Sequence, residues 1–451
     1  MPEAATAPKP GTPPQATLNS ALDARGAGGE PLAVLRERAR EAFDTLELPY
    51  WRRSGFWQTS FTNLDMATLG PITREADSTA VPQIVSGRAN AGVLVQRDAS
   101  VVHVELDAEL AERGVILCSL EEAAIQHTEL FERYFMRRLL LDRDKLEAAS
   151  AAFWSGGAFL YVPPGLSIED PFQIVYEIGA AGSAQYAHTL AIVDRTAEIR
   201  LREYDLAGAT FDGDALHAGQ FELYLEDGAR CRLAQLTDWS DGHVSDASTS
   251  VVEVGRDAYC HWLPALLGGH LIHHHDELVV AGKGGDMAFR GLLFSEAQEH
   301  LDVFAVDLHE TGPSGGDVHW RGAATGSSRA SFEGLIKINQ GAQQSHTYLQ
   351  FHSMMLSADA KLDAIPSVLV GADDVSASHG GTVGELDEHL IFYMQSRGLT
   401  RPQAVRVIVE GFFEPLIVQL EDEQLEAAVR SRIGAKLAAA AADIERYALA
   451  R

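Results

Sequence analysis

The sequence predicts a mainly β protein whose core is held between helical regions. Three observations carry this. From Ser155 onward the chain runs for about two hundred residues through alternating, turn-punctuated stretches with no convincing long helix. HTLAIVDRTAEIRLREYDL, FELYLEDGARCRLAQLTDW and ASFEGLIKINQGAQQSHTYLQFHSMML are examples. Turn triplets recur roughly thirty residues apart, at Asp227-Gly228-Ala229, Gly255-Arg256-Asp257, Gly284-Gly285-Asp286 and Gly315-Gly316-Asp317. Apolar residues return at helical spacing on both sides of this block. Strands without intervening helices form a sandwich, a barrel or a stacked solenoid. The soft repeat favours the β-solenoid, and the helical blocks are placed to cap its two ends.

Taken in order, residues 1–30 are rich in Ala, Pro and Gly, lack periodicity, and are expected to be a disordered tail. Residues 31–150 are expected to be an N-terminal helical region. LAVLRERAREAFDTL has helical spacing, and SLEEAAIQHTELFERYFMRRLL opens with a Ser119 cap and Glu122 three residues on. Between them, PYWRRSGFWQTSF carries Trp51, Phe56, Trp57 and Phe61, which pin an extended arm to the body or offer a surface to partners. Residues 151–375 form the β core, beginning at SGGAFLYVPPGLSIEDPFQIVYEI. Residues 376–451 are expected to be helical. Asp387 caps EHLIFYMQSR, Gly398 stops it, and Thr400 with Gln403 forms a capping box before AVRVIVEGFF. The Ala-rich EDEQLEAAVRSRIGAKLAAAAADIERYALA closes the chain.

The totals narrow the function. At 451 residues and 46% hydrophobic content there is ample material for a large core. With 36 basic against 64 acidic residues the formal charge is −28, which repels nucleic acid and anionic membranes, so neither is an expected partner. Cys118, Cys231 and Cys260 form no CxxC pair, and MPEAATAPKPGTPPQ lacks the basic start and apolar core of a signal peptide. A reducing, cytoplasmic setting is therefore expected.

No GxxxxGK[ST], GxGxxG, GxSxG or HExxH occurs, so the chain is expected neither to bind a nucleotide through a P-loop nor to be an enzyme of those classes. Four groupings carry chemistry, each with a structural alternative. His273 and His275, in the run His270 to Asp276, share a strand face and resemble a metal pair, or else decorate a polar face. Cys231 and Cys260 lie one repeat apart and would stack, as soft ligands or as small core residues. Asp373-Asp374 and Glu226-Asp227 suit polysaccharide chemistry in type, but adjacent acids on a strand face opposite ways. His379, between Ser378 and Gly380-Gly381, is expected on an open Gly-rich turn where an imidazole can ligate iron or relay a proton.

DDVSASHGGTVGELDEHLIFYMQSRGL resembles the SufB/SufD family of iron–sulfur cluster assembly proteins, on the side of its SufD branch. The resemblance extends through GGAFLYVPPGLSIEDPF, HLDVFAVDLHETGPSGGDVHWRGA, SRASFEGLIKI, KLDAIPSVLVGADDV and AVRVIVEGFFEPLI, roughly Ser155 to Leu420. It implies a right-handed parallel β-helix between helical regions. It also implies a scaffold subunit, not a free-standing enzyme, with SufB and the ATPase SufC as partners. A transient iron–sulfur cluster or iron would lie at the SufB–SufD interface, with His379 of the Ser378-His379-Gly380 motif as its ligand. Arg397, Phe412 and Phe413 would dock SufC, and Ser378 and Gly380 would face SufB. The same strand edges are able to pair two copies of this chain. The alternatives are a β-helix polysaccharide-active enzyme, a solitary metal-binding protein or a SufB-like paralogue.

Overall fold

The computed structural model describes residues 30–52, 58–66, 69–71, 81–240 and 243–449. The tail expected over residues 1–30 lies outside them except for Glu30, as do Phe56 and Trp57. Two mainly parallel sheets wind around one core as a β-solenoid of about eight turns. Face I runs through Ile116–Ser119, Ala158–Val162, His188–Val193, Gln220–Leu225, His243–Val254, Leu271–Val280, His300–His309, Arg329–Ile338 and Lys361–Val370. Face II runs through Ser100–Leu106, Gly92–Arg97, Phe172–Ile178, Glu198–Ala207, Arg230–Asp238, Tyr259–Gly268, Asp286–Ser295, Gly315–Ala324, His346–Met355 and Ser376–Glu385. His300 lies opposite Leu271, and Arg329 opposite His300, each 29 residues on. This is the interval seen in the turns, and the turns themselves stack. Gly228 N donates to Arg256 O at 2.7 Å, and Gly284 N to Pro313 O at 2.7 Å. Gly284 turns with φ +75, where a side chain would be strained.

Alternation along each strand sends one set of side chains into the bore. The register aligns Leu233, Trp262, Phe289, Val318 and Leu349 in one buried column. Aromatic rings bridge the two faces. Trp320 lies 5.3 Å from Phe289 and 5.1 Å from Phe332, which is 5.1 Å from Phe351. The bore has no slack here. A Cβ built on Gly291 would sit 2.1 Å from Trp320 Cε2. Gly291→Ala is therefore expected to lower the urea-unfolding midpoint, by roughly 1–3 kcal/mol of overpacking. Gly411→Ala, in a helix with nothing within 4 Å of the new methyl, should raise it.

The outer surfaces of both faces are also apolar, and helices cover them. The N-terminal helices are α1 (Glu30–Thr45), α2 (Ala108–Glu112), α3 (Leu120–Gln126), α4 (Thr128–Tyr134) and α5 (Lys145–Phe153). Residues of α1, α3, α4 and α5, among them Phe43, Phe131 and Phe153, pack with Leu190, Ile192, Tyr224, Val251 and Val279 of face I. The C-terminal helices are α6 (Glu388–Ser396), α7 (Arg401–Ile417), α8 (Glu423–Ala439) and α9 (Ala441–Leu449). Their Ile391, Val409, Phe413, Val429 and Ile433 pack with Leu236, Leu263, Leu292 and Phe294 of face II. The expected caps are present. Ser119 Oγ accepts from Glu122 N at 3.1 Å, Asp387 Oδ1 from His389 N at 2.9 Å, and the Thr400–Gln403 box closes α7.

Three expectations change. The region 31–150 is not wholly helical, because GVLVQRDASVVHVEL pairs as an antiparallel hairpin on face II and Ile116–Ser119 joins face I. Its Val-rich alternation is a strand signal. The stretch Ser376–Glu385 is a strand, not the start of the helical region. Its Ser and Gly residues have little β preference, and parallel pairing with His346–Met355 holds it. The C-terminal helices lie along face II instead of over the solenoid's end, because that face carries apolar residues that must leave water.

Candidate functional site

Lys361–Val370 and Ser376–Glu385 are the last strands of the two faces. Each pairs on one side only, so each leaves a row of backbone donors and acceptors at an open sheet edge. Apolar side chains are exposed on these strands: Leu369 at 58%, Val370 at 46% and Val383 at 45%. Large exposed apolar residues along two adjacent open edges mark an interaction surface.

His379 stands in this edge, one register step beyond Leu349. It extends the column of Leu233, Trp262, Phe289, Val318 and Leu349. The column is buried up to Leu349 and exposed at His379. An imidazole thus replaces the hydrocarbon where the bore meets the outside. The earlier expectation of an open turn is corrected, since His379 sits on a strand with its direction set by the pleat. Ala377 and Gly381 share its inward side, and a Cβ on Gly381 would be 3.2 Å from Ala364 Cβ of face I. The glycine keeps the floor of the open end low beside the imidazole. Ser378, Gly380 and Thr382 alternate to the outer side. There His352 Nδ1 lies 2.6 Å from Thr382 Oγ1, and Tyr348 and Gln350 flank Ser378 and Gly380 in register.

The other sequence candidates separate. His273 stacks on Trp51 at 3.8 Å and bonds Asp302 Oδ2 at 2.9 Å, and His275 bonds Glu277 at 3.0 Å. Trp51 therefore pins the N-terminal arm onto face I. His274 points the other way, into the bore, towards Asp246. Cys231 and Cys260 are register partners, both buried. Burial, with Cys231 alongside, pushes the Cys260 thiol well up, and burial with Glu122 nearby pushes Cys118 up to about 12. Thiols held protonated are poor ligands and nucleophiles. Glu226 accepts from the Tyr134 hydroxyl at 2.6 Å and Asp227 pairs with Arg256 at 2.7 Å, while Asp373 and Asp374 are exposed. No pair of these acids faces a common groove. Among the described residues, no three His, Cys, Asp or Glu side chains are arranged to hold a metal ion.

Phe413 is corrected as a docking residue. It is fully buried, 6.0 Å from Phe294 of face II, and anchors α7. Phe412 is half-buried, with Arg321 over its ring at 5.2 Å and donating to its carbonyl. Arg397 ends α6 in the open, 5.2 Å over the Tyr393 ring. Sequence reasoning missed the ties that seat these helices. Lys436 of α8 is buried between Glu299 at 2.8 Å and Glu296 at 3.1 Å. Arg432 meets Asp238 at 3.1 Å. Buried Arg202 lies 3.6 Å from Asp422, which also pairs with Arg88. A lysine inside an Ala-rich helix was the one available signal for this, and it reads equally as solvated surface.

Comparison with known proteins places the geometry in a family. The SufBD protein N-terminal region matches residues 85–174. The SufBD core domain of the SUF system for FeS cluster assembly matches residues 176–412, a stretch that contains the open end and His379. The iron–sulfur cluster assembly protein SufD of Bacillus subtilis is 28% identical over 413 residues, 90% of this chain and 94% of that protein. SufBD family proteins of Staphylococcus epidermidis and Staphylococcus aureus are each 25% identical over 352 residues, 78% of this chain and 75% of theirs. No helix among the described residues is long and apolar enough to cross a membrane. With core and N-terminal region both matched in order over most of the chain, this protein belongs to the SufBD family of iron–sulfur cluster assembly proteins.

Proposed function

We propose that the chain is a SufD-type scaffold subunit without ATPase activity of its own. Its open end pairs with a SufB-type subunit, and its C-terminal helices receive a SufC-type ATPase. His379 ligates iron or a transient cluster at the subunit interface, and any nucleotide is held by the ATPase. One observation supports this reading most. His379 ends an apolar column at an unpaired solenoid edge, and the described residues gather no ligand set around it. A single imidazole is a useful ligand only where others arrive from outside, and the open edge is where a partner's strands would bring them. Imidazole suits iron, and its exposure leaves the ring free to receive metal.

The test is anaerobic reconstitution with iron and sulfide in the complex with SufB and SufC homologues. His379→Ala is expected to leave the complex intact and to lower cluster yield about tenfold or more. An unchanged yield would remove His379 from the ligand set. Leu369→Glu with Val383→Glu places charge on both edge strands, at side chains already exposed, and should prevent SufB from joining while the isolated chain keeps its stability. If the doubly charged variant still assembled, the edges would not be the contact.

A further inference from the structure

The outer side of face II carries a cluster of donors that neither the core nor His379 uses. His319 and Arg321 of the strand Gly315–Ala324 stand beside Gln350 and His352 of His346–Met355, two residues by two across adjacent strands. All four are half-buried. Arg321 fixes their direction, because its Nη1 donates to the Phe412 carbonyl of α7, which lies over this side. Parallel register and two-residue spacing turn the other three the same way. Gln350 Nε2 meets His352 Nε2, and His352 Nδ1 lies 2.6 Å from Thr382 Oγ1. His319 Nε2 lies 2.9 Å from Asp317 Oδ1, an acid that also pairs with Arg290.

Charge sets this cluster apart. Acidic residues outnumber basic ones by 64 to 36. Arginines elsewhere accordingly hold carboxylates: Arg97 with Glu177, Arg138 with Glu253, Arg232 with Glu421 and Arg430 with Glu414. Arg321 is different. Among the described residues its hydrogen bonding stops at Phe412, which leaves Nε and Nη2 uncommitted, and no carboxylate stands beside it. Burial lowers the guanidinium with no acid to oppose it. His352 is pushed down too, by burial first and then by Arg321 and His319. A guanidinium fork with two open donors, an amide next to it and mutually repelling neighbours suits an incoming carboxylate.

The cluster opens in one direction. Towards α7 it is closed by Phe412, whose ring is 5.2 Å from the Arg321 guanidinium. Towards the open edge, the row of His319 and Gln350 runs on to Gly380 of Ser376–Glu385. Gly380 has no side chain to block the row, and a Cβ there would meet only Tyr348 Oη, at 3.5 Å. The way from the edge strand to the cluster is therefore clear.

We propose that Arg321, with Gln350 beside it, is a carboxylate-binding site for an acidic segment of the subunit that joins the open edge, laid across Gly380 onto the outer side of face II. This rests on the pairing of that edge with a SufB-type subunit. Backbone pairing along an edge is nearly indifferent to sequence, whereas a charge contact beside it selects the partner and its orientation.

Titration of the full chain with a SufB homologue tests the site. Arg321→Gln should weaken binding about tenfold at about 0.05 M salt and much less at about 0.5 M, where exposed charges are screened. Arg321→Lys keeps the charge without the fork and should lie between. Because Arg321 also holds the Phe412 carbonyl, Gln350→Glu is the second variant. It puts a fixed acid inside the cluster, touches neither α7 nor the edge, and should also weaken binding at low salt with no fall in the urea midpoint. It decides alone if Arg321→Gln does not fold. Unchanged affinity in these variants, while Leu369→Glu with Val383→Glu still prevents joining, would overturn the carboxylate site and leave the edge pairing standing. A wild-type chain that joins no SufB homologue would remove both. Equal weakening at both salt concentrations would reduce Arg321 to a seat for α7. Weaker binding of a SufC homologue, with the SufB titration unchanged, would move the acidic segment to the ATPase and overturn the proposal.

Discussion

Lys436→Ala is expected to cost about 3–5 kcal/mol, the usual penalty for removing one partner of a buried ion pair. The Lys436 side chain is completely buried, with Glu299 and Glu296 both mostly covered beside it. Its ammonium donates to both Glu299 oxygens, at 2.9 and 2.8 Å, and Phe294 lies 6.0 Å from it. Glu296 and Glu299 form the turn after the face II strand Asp286–Ser295, so one cation ties α8 to the solenoid. Without it two carboxylates face each other across a dry contact. Burial already raises Glu299, outweighing Lys436, and loss of the cation raises it further. The defect should then be larger at about pH 8 than at about pH 5, because protonation neutralises the stranded acids. Urea unfolding at both pH values measures this. Lys436→Met with Glu296→Gln and Glu299→Gln should recover much of the loss, since like-sized uncharged groups remove the stranded charge. Equal defects at both pH values, or no recovery, would show that Lys436 acts through packing alone.

The same contact explains what sequence could and could not disclose. The solenoid was legible because its repeat is written twice, in strand alternation and in turns that hydrogen-bond to the turn one repeat on. The caps were legible because Asp387, Thr400 and Ser119 act on backbone within three residues. Lys436 was not, because its partners lie 137 residues away at Glu299 and only the fold brings them together. The buried polar residues of the bore were hidden for a related reason. Glu203, Asp205 and His274 are scattered polar residues until the register turns them inward, and strand polarity normally marks the solvated side. The last strand was misread because SASHGGTVGE has the composition of a turn, and its conformation comes from the neighbour it pairs with. His379 was found as a residue, but its place at the head of a core column is a property of register.

Phe413→Ala is the second large effect, about 3–5 kcal/mol for emptying an aromatic site in a packed core. Two adjacent phenylalanines end the motif VEGFF, and sequence gives no reason to treat them differently. The helix does. Phe413 faces the solenoid, fully buried against Phe294, with Val409 and Ile433 in the same core. Phe412 is turned towards the rim, 5.1 Å from Phe413. A partner of the C-terminal helices would meet α6 more readily, where Phe392 is 72% and Tyr393 54% exposed. Phe392→Ala should change stability by no more than about 0.5 kcal/mol. The two variants therefore separate folding from docking. Phe413→Ala is expected to lower the urea midpoint without any partner present. If a SufC homologue docks on α6, Phe392→Ala should weaken its binding in titration while leaving that midpoint alone. Loss of binding only with Phe413→Ala would mean that the helices must merely be seated. Loss with Phe392→Ala at unchanged stability would put the contact on α6 itself. Lys436 and Phe413 flank the same Phe294 ring from α8 and α7, so combining their substitutions should cost less than the two losses added. A helical layer already freed from face II by one change has less left to lose by the other.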